Sequence, residues 1–395
     1  MTNANDFYDD DEFGLAEKAF IDETYQIYLL DNGGIKQDKT STTFAANSIL
    51  ALGHLINDLE RVQGDIFVIS DARRNPKHAE IHNRLTCSDG RTLKLFDELV
   101  WHLSYLDVYI DCELPHHIKN PKFAFFFTEA KRLGLYLTPI EFNRLYLGCG
   151  DDTKWFCDNL NRLVDSMRNI RSNKQVNLAL KQFRRAARDN YESASEYIED
   201  LFAVHSRMCV VRVDLSYLKQ YAGNITAQEF LRHREKLLVY LQRHPIFENK
   251  VGYIIKAEHG RDKGFHLHAM IFFDGNLVRE GISRATMIGD LWRDIITEGR
   301  GVHFNCNQHA KYYYNGIGMV RHDCVAQRHG LYYAFVYMTK TDEIARLSLG
   351  SAKIFLRGIS PKIDEVKRGR PRMNATYTPH SDSQVANSLD NHRAK

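Results

Sequence analysis

The chain has 395 residues, of which 44% are hydrophobic, and this is enough for ordinary folded cores and for two domains. No run approaches the ~20 apolar residues of a membrane span, and the acidic beginning, MTNANDFYDDDEF, is unlike a signal peptide. Seven cysteines with no CxxC pair argue against a disulfide framework and against a cysteine-based zinc site. The formal net charge of +3 is too small to indicate a nucleic-acid partner by itself. We therefore expect a reduced, cytoplasmic protein without a membrane segment.

The first half of the chain predicts helices and carries no chemical motif. Residues 1–20 are acidic, and we expect them to be disordered. Over 21–180 the pattern is mostly helical, because apolar residues recur at helical spacing in two long runs. These residues are Phe44, Ile49, Leu52, Ile56 and Leu59, followed by Phe156, Leu160, Leu163 and Met167. The run Lys181–Arg188 predicts a basic helical face, for which a solvated surface is favoured over a DNA contact.

The pattern changes after residue 205. The segment MCVVRVDLSYL (208–218) is rich in β-branched residues and predicts a buried strand. A helix follows over 226–244, with Thr226 as its N-cap and Glu229 completing a capping box. The segments VGYIIKAE and FHLHAMIFF predict two strands joined by the polar turn HGRDKG.

The remaining segments complete a second domain over 205–360. A helix is predicted for SRATMIGDLWRDIITEG, a strand for GVHFNCN, and a last helix for LYYAFVYMTKTDEIARL. This order predicts an α+β domain with a mainly antiparallel sheet, preceded by the mostly α-helical N-terminal region.

A pair of histidines interrupts the apolar strand GFHLHAMIFF. Because successive residues of a strand face opposite sides, His266 and His268 project from one face, about 7 Å apart at the backbone. Two core histidines are one interpretation, and two metal ligands are the other. Glu258 ends the preceding strand, and a simple hairpin register puts it opposite His266. These groups are costly in an apolar strand unless they are paired or ligated, and the donor set suits Mg²⁺ or Mn²⁺.

The last predicted helix carries a second polar pattern. Tyr333, Tyr337 and Lys340 lie at i, i+4 and i+7 and so form one stripe. The other stripe is more apolar and is predicted to face the core; it contains Tyr332, Phe335, Val336 and Thr339. Aromatic residues at helical spacing usually belong to a core, but a lysine in a stripe with two tyrosines is unusual there.

Together these groups describe a phosphoryl-transfer reaction. A divalent ion held by two histidines and a carboxylate can polarise a phosphate oxygen and neutralise charge in the transition state. A tyrosine hydroxyl can attack the scissile phosphorus and stay attached to the 5′ side, which frees a 3′-hydroxyl. A nearby lysine can lower the tyrosine pKa or hold the phosphate. A second tyrosine one turn away can take the next strand in a second transesterification.

On these motifs the chain resembles the HUH endonucleases of rolling-circle replication. Its His266-Leu267-His268 matches their His–hydrophobic–His motif, and Tyr333 through Lys340 matches Y-x-x-x-Y-x-x-K. The histidine motif precedes the tyrosine motif, as in replication initiators, whereas plasmid relaxases usually have the reverse order. Within this group the chain is similar to inovirus-type initiators, the gene II protein relatives. It is also similar to the YagK/YfjJ-type C-terminal domains of prophages, through RVDLSY, the HxH strand and Y-x-T-K-T-D.

The resemblance implies a role for each matched residue. His266 and His268 would be metal ligands, Tyr337 the first nucleophile, Tyr333 the second and Lys340 a supporting cation. Glu258 would be the third ligand of Mg²⁺ or Mn²⁺, at a position that varies among such enzymes. The partner implied is single-stranded or supercoiled origin DNA, with a host helicase, and no membrane. Other tyrosines compete for the nucleophile role, namely Tyr217, Tyr312, Tyr313 and Tyr314.

The end of the chain is basic. Residues 351–372 carry seven Lys or Arg against two Asp or Glu. The core of KRGRPR resembles an AT-hook, whose extended arginines lie in a narrow minor groove. The DNA-binding residues predicted on this basis are Lys367, Arg368, Arg370 and Arg372. A basic disordered tail over 361–395 is the simpler interpretation, and either version attracts DNA phosphates.

The function predicted from these features is site- and strand-specific DNA nicking and strand transfer that starts rolling-circle replication of a phage, prophage or mobile element. One alternative is a non-catalytic DNA-binding regulator on the same fold, such as a repressor or a phage-defence component. Another alternative is a transposase that uses the same tyrosine chemistry.

Overall fold

A computed structural model describes a little over two thirds of the chain. The described residues are 26–29, 35–38, 41–71, 83–87, 99, 102–103, 116–135, 138, 152–260, 263–309, 316–339, 342 and 345–362. The predicted acidic segment 1–20 and the basic residues from Lys367 onward lie outside them.

The chain divides into two compact units. One consists of 41–185 and 343–345, and the other of 1–40, 186–342 and 346–395. Helices dominate the first unit, and the largest sheet belongs to the second. The predicted α+β class is therefore confirmed.

Helices and strands are interspersed in the described part of the chain. The strands are β1 (Gln26–Leu29), β2 (Ile35–Asp38), β3 (Phe67–Asp71), β4 (Asn83–Cys87), β5 (His117–Lys119), β6 (Arg207–Tyr217), β7 (Lys250–Gly260), β8 (Gly264–Asp274), β9 (Gly301–Asn305), β10 (Gly318–Arg321), β11 (Ala345–Leu347) and β12 (Phe355–Arg357). The helices are α1 (Ser41–Leu59), α2 (Pro121–Arg132), α3 (Thr153–Arg168), α4 (Lys174–Val204), α5 (Lys219–Ala222), α6 (Ala227–Arg243), α7 (Gly281–Asp290), α8 (Cys306–His309) and α9 (Val325–Thr339). Single turns of 3-10 helix lie at Ile170–Ser172 and Pro245–Phe247, and a π-helical segment lies at Leu291–Ile296. None of the helices that the structure describes is long and apolar enough to cross a membrane.

The helical unit is built on the apolar stripes that the sequence predicts. In α1 and α3 the residues at helical spacing are buried, except that the side chain of Phe44 lies outside the described residues. The β3–β4 hairpin is not predicted by the sequence pattern. It packs on α3 through Asn161, whose side chain accepts hydrogen bonds from the backbone N–H of Ile66 and Phe67.

The second unit contains a six-stranded antiparallel sheet. The strand order is β10-β6-β8-β7-β12, and β9 pairs with the second half of β6. Strands β6 and β8 are buried almost throughout because both of their faces are covered. One face packs against α6 and α7. The other face packs against α9 and the second half of α4.

Two local predictions are refined by the structure. Thr226 caps α6 as predicted, because its hydroxyl accepts from the Glu229 N–H at 3.2 Å, while the Glu229 carboxylate pairs with Arg300 at 2.6 Å. The last helix was predicted to run to Leu347, but α9 ends at Thr339 and 345–347 is a strand. Beyond the helix, Asp342 forms a buried ion pair with Lys256 of β7, a tertiary contact that outweighs helix propensity.

We expect Phe272→Ala to lower the free energy of unfolding by about 3–5 kcal/mol, because Phe272 is fully buried between the sheet and its covering helices. Urea denaturation followed by circular dichroism measures the change. Val239→Ala, at a position 54% exposed on α6, is the matched control and should change stability by less than about 0.5 kcal/mol. Equal effects of the two substitutions would contradict this packing of β8.

Candidate functional site

The histidine pair lies in the middle of the sheet and is buried. His266 and His268 of β8 are 1% and 2% exposed. The alternate residues of β8, such as Phe265 and Leu267, enter the core formed with α6 and α7. The histidines therefore share the opposite face with Met270 and Phe272, which pack against α9.

Both imidazoles are held through Nδ1. The His266 Nδ1 lies 3.1 Å from the Gly264 carbonyl oxygen, and the His268 Nδ1 lies 2.7 Å from Asp214 Oδ1. Because both partners are acceptors, each Nδ1 must carry the hydrogen, which leaves a lone pair on each Nε2. The Nε2 of His266 is buried without a hydrogen-bond partner among the described residues. A carboxylate or carbonyl on the second nitrogen is the arrangement that orients histidine ligands of metals.

The distance between the rings suits one shared ion. The ring centroids are 5.1 Å apart and the planes are nearly perpendicular, at 88°. A ring nitrogen binds a metal at about 2.1 Å, so two imidazoles at this separation can reach the same ion.

The histidines are neutral at neutral pH. Burial, assisted by the nearby charge of Lys263, lowers the pKa of His266 well below its ordinary value. Burial also lowers the pKa of His268, although the Asp214 carboxylate opposes this shift. Burial alone would raise the pKa of Asp214, but His268 and Arg212 outweigh it and hold that pKa below its ordinary value. The site thus combines neutral imidazoles with an ionised carboxylate.

Glu258 lies where the hairpin register predicts, opposite His266. Its carboxylate makes a close ion pair with the ammonium of Lys256, which is also 3.1 Å from Asp342 Oδ1. Among the residues that the structure describes, no three His, Cys, Asp or Glu side chains are grouped as a metal site. The imidazoles of His266 and His268 are placed to bind one ion, whereas Glu258, the predicted third ligand, is paired with Lys256.

The tyrosine helix α9 covers the same face of the sheet as the histidines. Its predicted core stripe is buried, at Tyr332, Phe335, Val336 and Thr339. Tyr333 is half-buried, and its ring meets His329 edge to face with centroids 4.4 Å apart. Arg212 of β6 donates to the carbonyl oxygen of Ala334 at 3.3 Å and lies 3.8 Å from Asp214. Helix and histidine strand are thus connected through one arginine and one carboxylate.

Several predicted site residues lie outside the described residues. They are the side chain of Tyr337, the whole of Lys340, the competing tyrosines Tyr312, Tyr313 and Tyr314, and the basic residues Lys367, Arg368, Arg370 and Arg372. The other competing tyrosine, Tyr217, faces the opposite side of the sheet. Its hydroxyl is 2.8 Å from His233 Nδ1, and burial raises its pKa strongly. Its placement argues against Tyr217 as a nucleophile for a site at the histidine pair.

Four charged residues of this cluster were not predicted as site residues. They are Arg212, Asp214, Lys256 and Asp342; Asp214 is half-buried, and the other three are less than 9% exposed. For Arg212, Asp214 and Lys256 the signal in the sequence is a charged residue at alternate positions of an otherwise apolar strand, as in VRVDL and IIKAE. That alternation puts Arg212 and Asp214 on one face, but it does not reveal that this face meets the histidines.

In comparisons with curated proteins and with solved structures, nothing matches the chain. A family model does match, over a range that contains both the histidine strand and the tyrosine helix. Residues 170–340 match the model of the YagK/YfjJ C-terminal domain, a family of prophage-associated proteins.

Proposed function

We propose that this chain is a site- and strand-specific DNA nickase and strand transferase, which initiates rolling-circle replication of a phage, prophage or related mobile element. The proposal rests on one observation: the histidine pair and the tyrosine helix lie on the same face of the sheet. Two neutral histidines, each with Nδ1 held by an acceptor, lie on the face that the tyrosine helix covers. The match to a prophage-associated family is consistent with such a role.

The metal would be held by His266 and His268, with Glu258 as the third ligand after release from Lys256. When bound, Mg²⁺ or Mn²⁺ supplies polarisation of a phosphate oxygen and offsets transition-state charge. Asp214 would keep the His268 ring in the orientation and tautomer that metal ligation needs.

The tyrosines would perform the covalent chemistry. The hydroxyl oxygen of Tyr337 attacks the scissile phosphorus as its proton leaves, and a phosphotyrosine forms on the 5′ side. The bond from phosphorus to the 3′ oxygen breaks, and that oxygen takes up a proton to become a free 3′-hydroxyl. Tyr333, one turn earlier, repeats the attack on the next strand, and Lys340 supports the charge. DNA is the partner, engaged also by the basic residues from Lys367 to Arg372, and a host helicase would open the duplex.

A second candidate function is favoured by one observation. Lys256 already neutralises Glu258, so the cluster is charge-paired in the form described by the structure. A non-catalytic DNA-binding regulator would need only this charge-paired cluster, as part of its folded core, and no metal ion. Binding of DNA without a covalent adduct would support the regulator.

We expect the protein with Mn²⁺ to nick a supercoiled plasmid that carries the DNA flanking its gene, and to remain attached to the 5′ end. Tyr333→Phe/Tyr337→Phe should abolish the adduct, because the ring is kept and only the attacking oxygen is lost. Denaturing gels and mass spectrometry of the linked peptide provide the measurement. Tyr332→Phe is the matched control: its hydroxyl is bonded to the Tyr191 hydroxyl at 2.5 Å in the core, and the adduct should persist. Undiminished nicking by the double variant would show that the nucleophile is assigned wrongly.

We expect Asp214→Asn to weaken Mn²⁺ binding by about 10–100-fold, because the amide supports the His268 ring less strongly than the carboxylate does. Calorimetric titration with Mn²⁺ measures this without any DNA. Asp294→Asn, at an exposed aspartate of the π-helical segment, is the control and should leave the affinity unchanged. If both variants bind equally well, Asp214 does not support a ligand.

The affinity for Mn²⁺ should be constant from pH 8 down to about 6.5. An exposed histidine is half protonated at about pH 6.5, and the proton competes with the metal. Because burial lowers the pKa of both His266 and His268, their neutral form persists to lower pH. The loss of affinity should therefore begin only below pH 6.5. Titrations at pH 8, 7, 6.5 and 6 test this, and a clear fall already between pH 8 and 6.5 would contradict it.

A further inference from the structure

Lys256 is an unusual residue for the centre of a sheet. Its side chain is fully buried, although lysine is among the residues least often found inside proteins. A buried ammonium is stable only with partners, and Lys256 has two carboxylates, Glu258 and Asp342. Both carboxylates are themselves less than 5% exposed.

The position of Lys256 links it to the histidine pair. In the β7–β8 pairing Lys256 is opposite His268, and Glu258 is opposite His266. The four residues therefore form two adjacent cross-strand pairs on one face of the sheet. The Lys256 ammonium holds the carboxylate of Glu258, and Glu258 is opposite His266. The Nε2 of His266 has no hydrogen-bond partner among the described residues.

We propose that Lys256 is a built-in competitor for the metal, a positioning residue that holds Glu258 until a divalent cation takes the carboxylate. This inference rests on the proposed metal site and specifies how that site is regulated. A carboxylate that is ion-paired with an ammonium binds a second cation more weakly than a free carboxylate does. Metal binding must then include an exchange in which Glu258 leaves Lys256.

Asp342 makes the exchange feasible. When Glu258 turns to the metal, Lys256 keeps the carboxylate of Asp342 and is not left as an uncompensated buried charge. Asp342 lies three residues after the end of α9. After the exchange, the Lys256 ammonium is attracted more strongly to Asp342, in the segment that follows the tyrosine helix. Metal binding at the histidines is therefore coupled to the ion pair that anchors the end of this helix.

The test is direct measurement of Mn²⁺ affinity by calorimetry and by the EPR signal of free Mn²⁺, without DNA. Lys256→Met removes the competing charge at similar length, and affinity should rise by about tenfold or more. Asp342→Asn removes one of the carboxylates that hold Lys256, which leaves its ammonium more strongly attracted to Glu258, so affinity should fall. If Lys256 and Asp342 had purely structural roles, Lys256→Met and Asp342→Asn would both lower the affinity for Mn²⁺. Opposite changes in affinity therefore distinguish the competitor role from a structural one. In Glu258→Gln the effect of Lys256→Met should disappear, which a double-mutant cycle detects.

Two controls keep the outcomes separate. Lys256→Arg retains the charge and should stay close to the parent protein in affinity. If Lys256→Met does not fold by circular dichroism, the Asp342→Asn and Glu258→Gln variants decide the question. Unchanged or weaker binding in folded Lys256→Met overturns the competitor role, while binding that still depends on His266 and His268 leaves the proposed function intact. If neither the parent protein nor any folded variant binds Mn²⁺ through the histidines, the metal-dependent function itself fails.

Discussion

The hydrogen bond between Asp214 and His268 is the interaction on which the polar cluster depends. It lies within a sheet covered on both faces, where His268 is buried and Asp214 is half-buried. Both groups are largely removed from water, so their hydrogen bond to each other offsets the cost of that burial. The ionised carboxylate sets the tautomer of His268 and draws in Arg212 at 3.8 Å. Arg212 then donates to the backbone carbonyl of Ala334 in α9. The Asp214 carboxylate and the Arg212 guanidinium thus connect β6, the histidine strand β8 and the tyrosine helix α9.

Strand alternation divides the sheet into two chemically different faces. On the face covered by α6 and α7, the inward residues are apolar, and the buried Tyr217 hydroxyl is satisfied by His233. On the face covered by α9, two cross-strand pairs and the Arg212–Asp214 pair carry the charges. A shift of β8 by one residue would exchange these faces and would bury His266 and His268 among leucines and phenylalanines. The apolar face therefore fixes the register on which the polar face depends.

Local patterns in the sequence predict several helices, the strands β6 to β9 and the β7–β8 hairpin, because those features depend on neighbours in the chain. The same patterns miss the strands β1 to β5. The apolar stripes of α1, α3 and α9, the strands β6 to β9 and the Glu258–His266 pairing follow from helical period, β-branched runs and a short turn. The Asp214–His268 bond joins residues 54 positions apart, and it requires β6 to lie beside β8. Strand order of this kind is a property of the packed sheet, so no local pattern contains it.

The same reasoning explains why Lys256 was not predicted as a partner of Glu258. In the sequence IIKAE the two residues are simply an alternating pair that faces one side of a strand. Only burial of that side forces them together, since a carboxylate without water needs a cation and the nearest one is two residues away. The sequence pattern left open whether Glu258 is paired with a cationic side chain or bound to a metal ion, and in the fold its carboxylate is paired with Lys256. A cluster in which Lys256 already compensates the carboxylates can fold without a metal ion, and a metal that binds the folded protein then adds to the stability of the sheet.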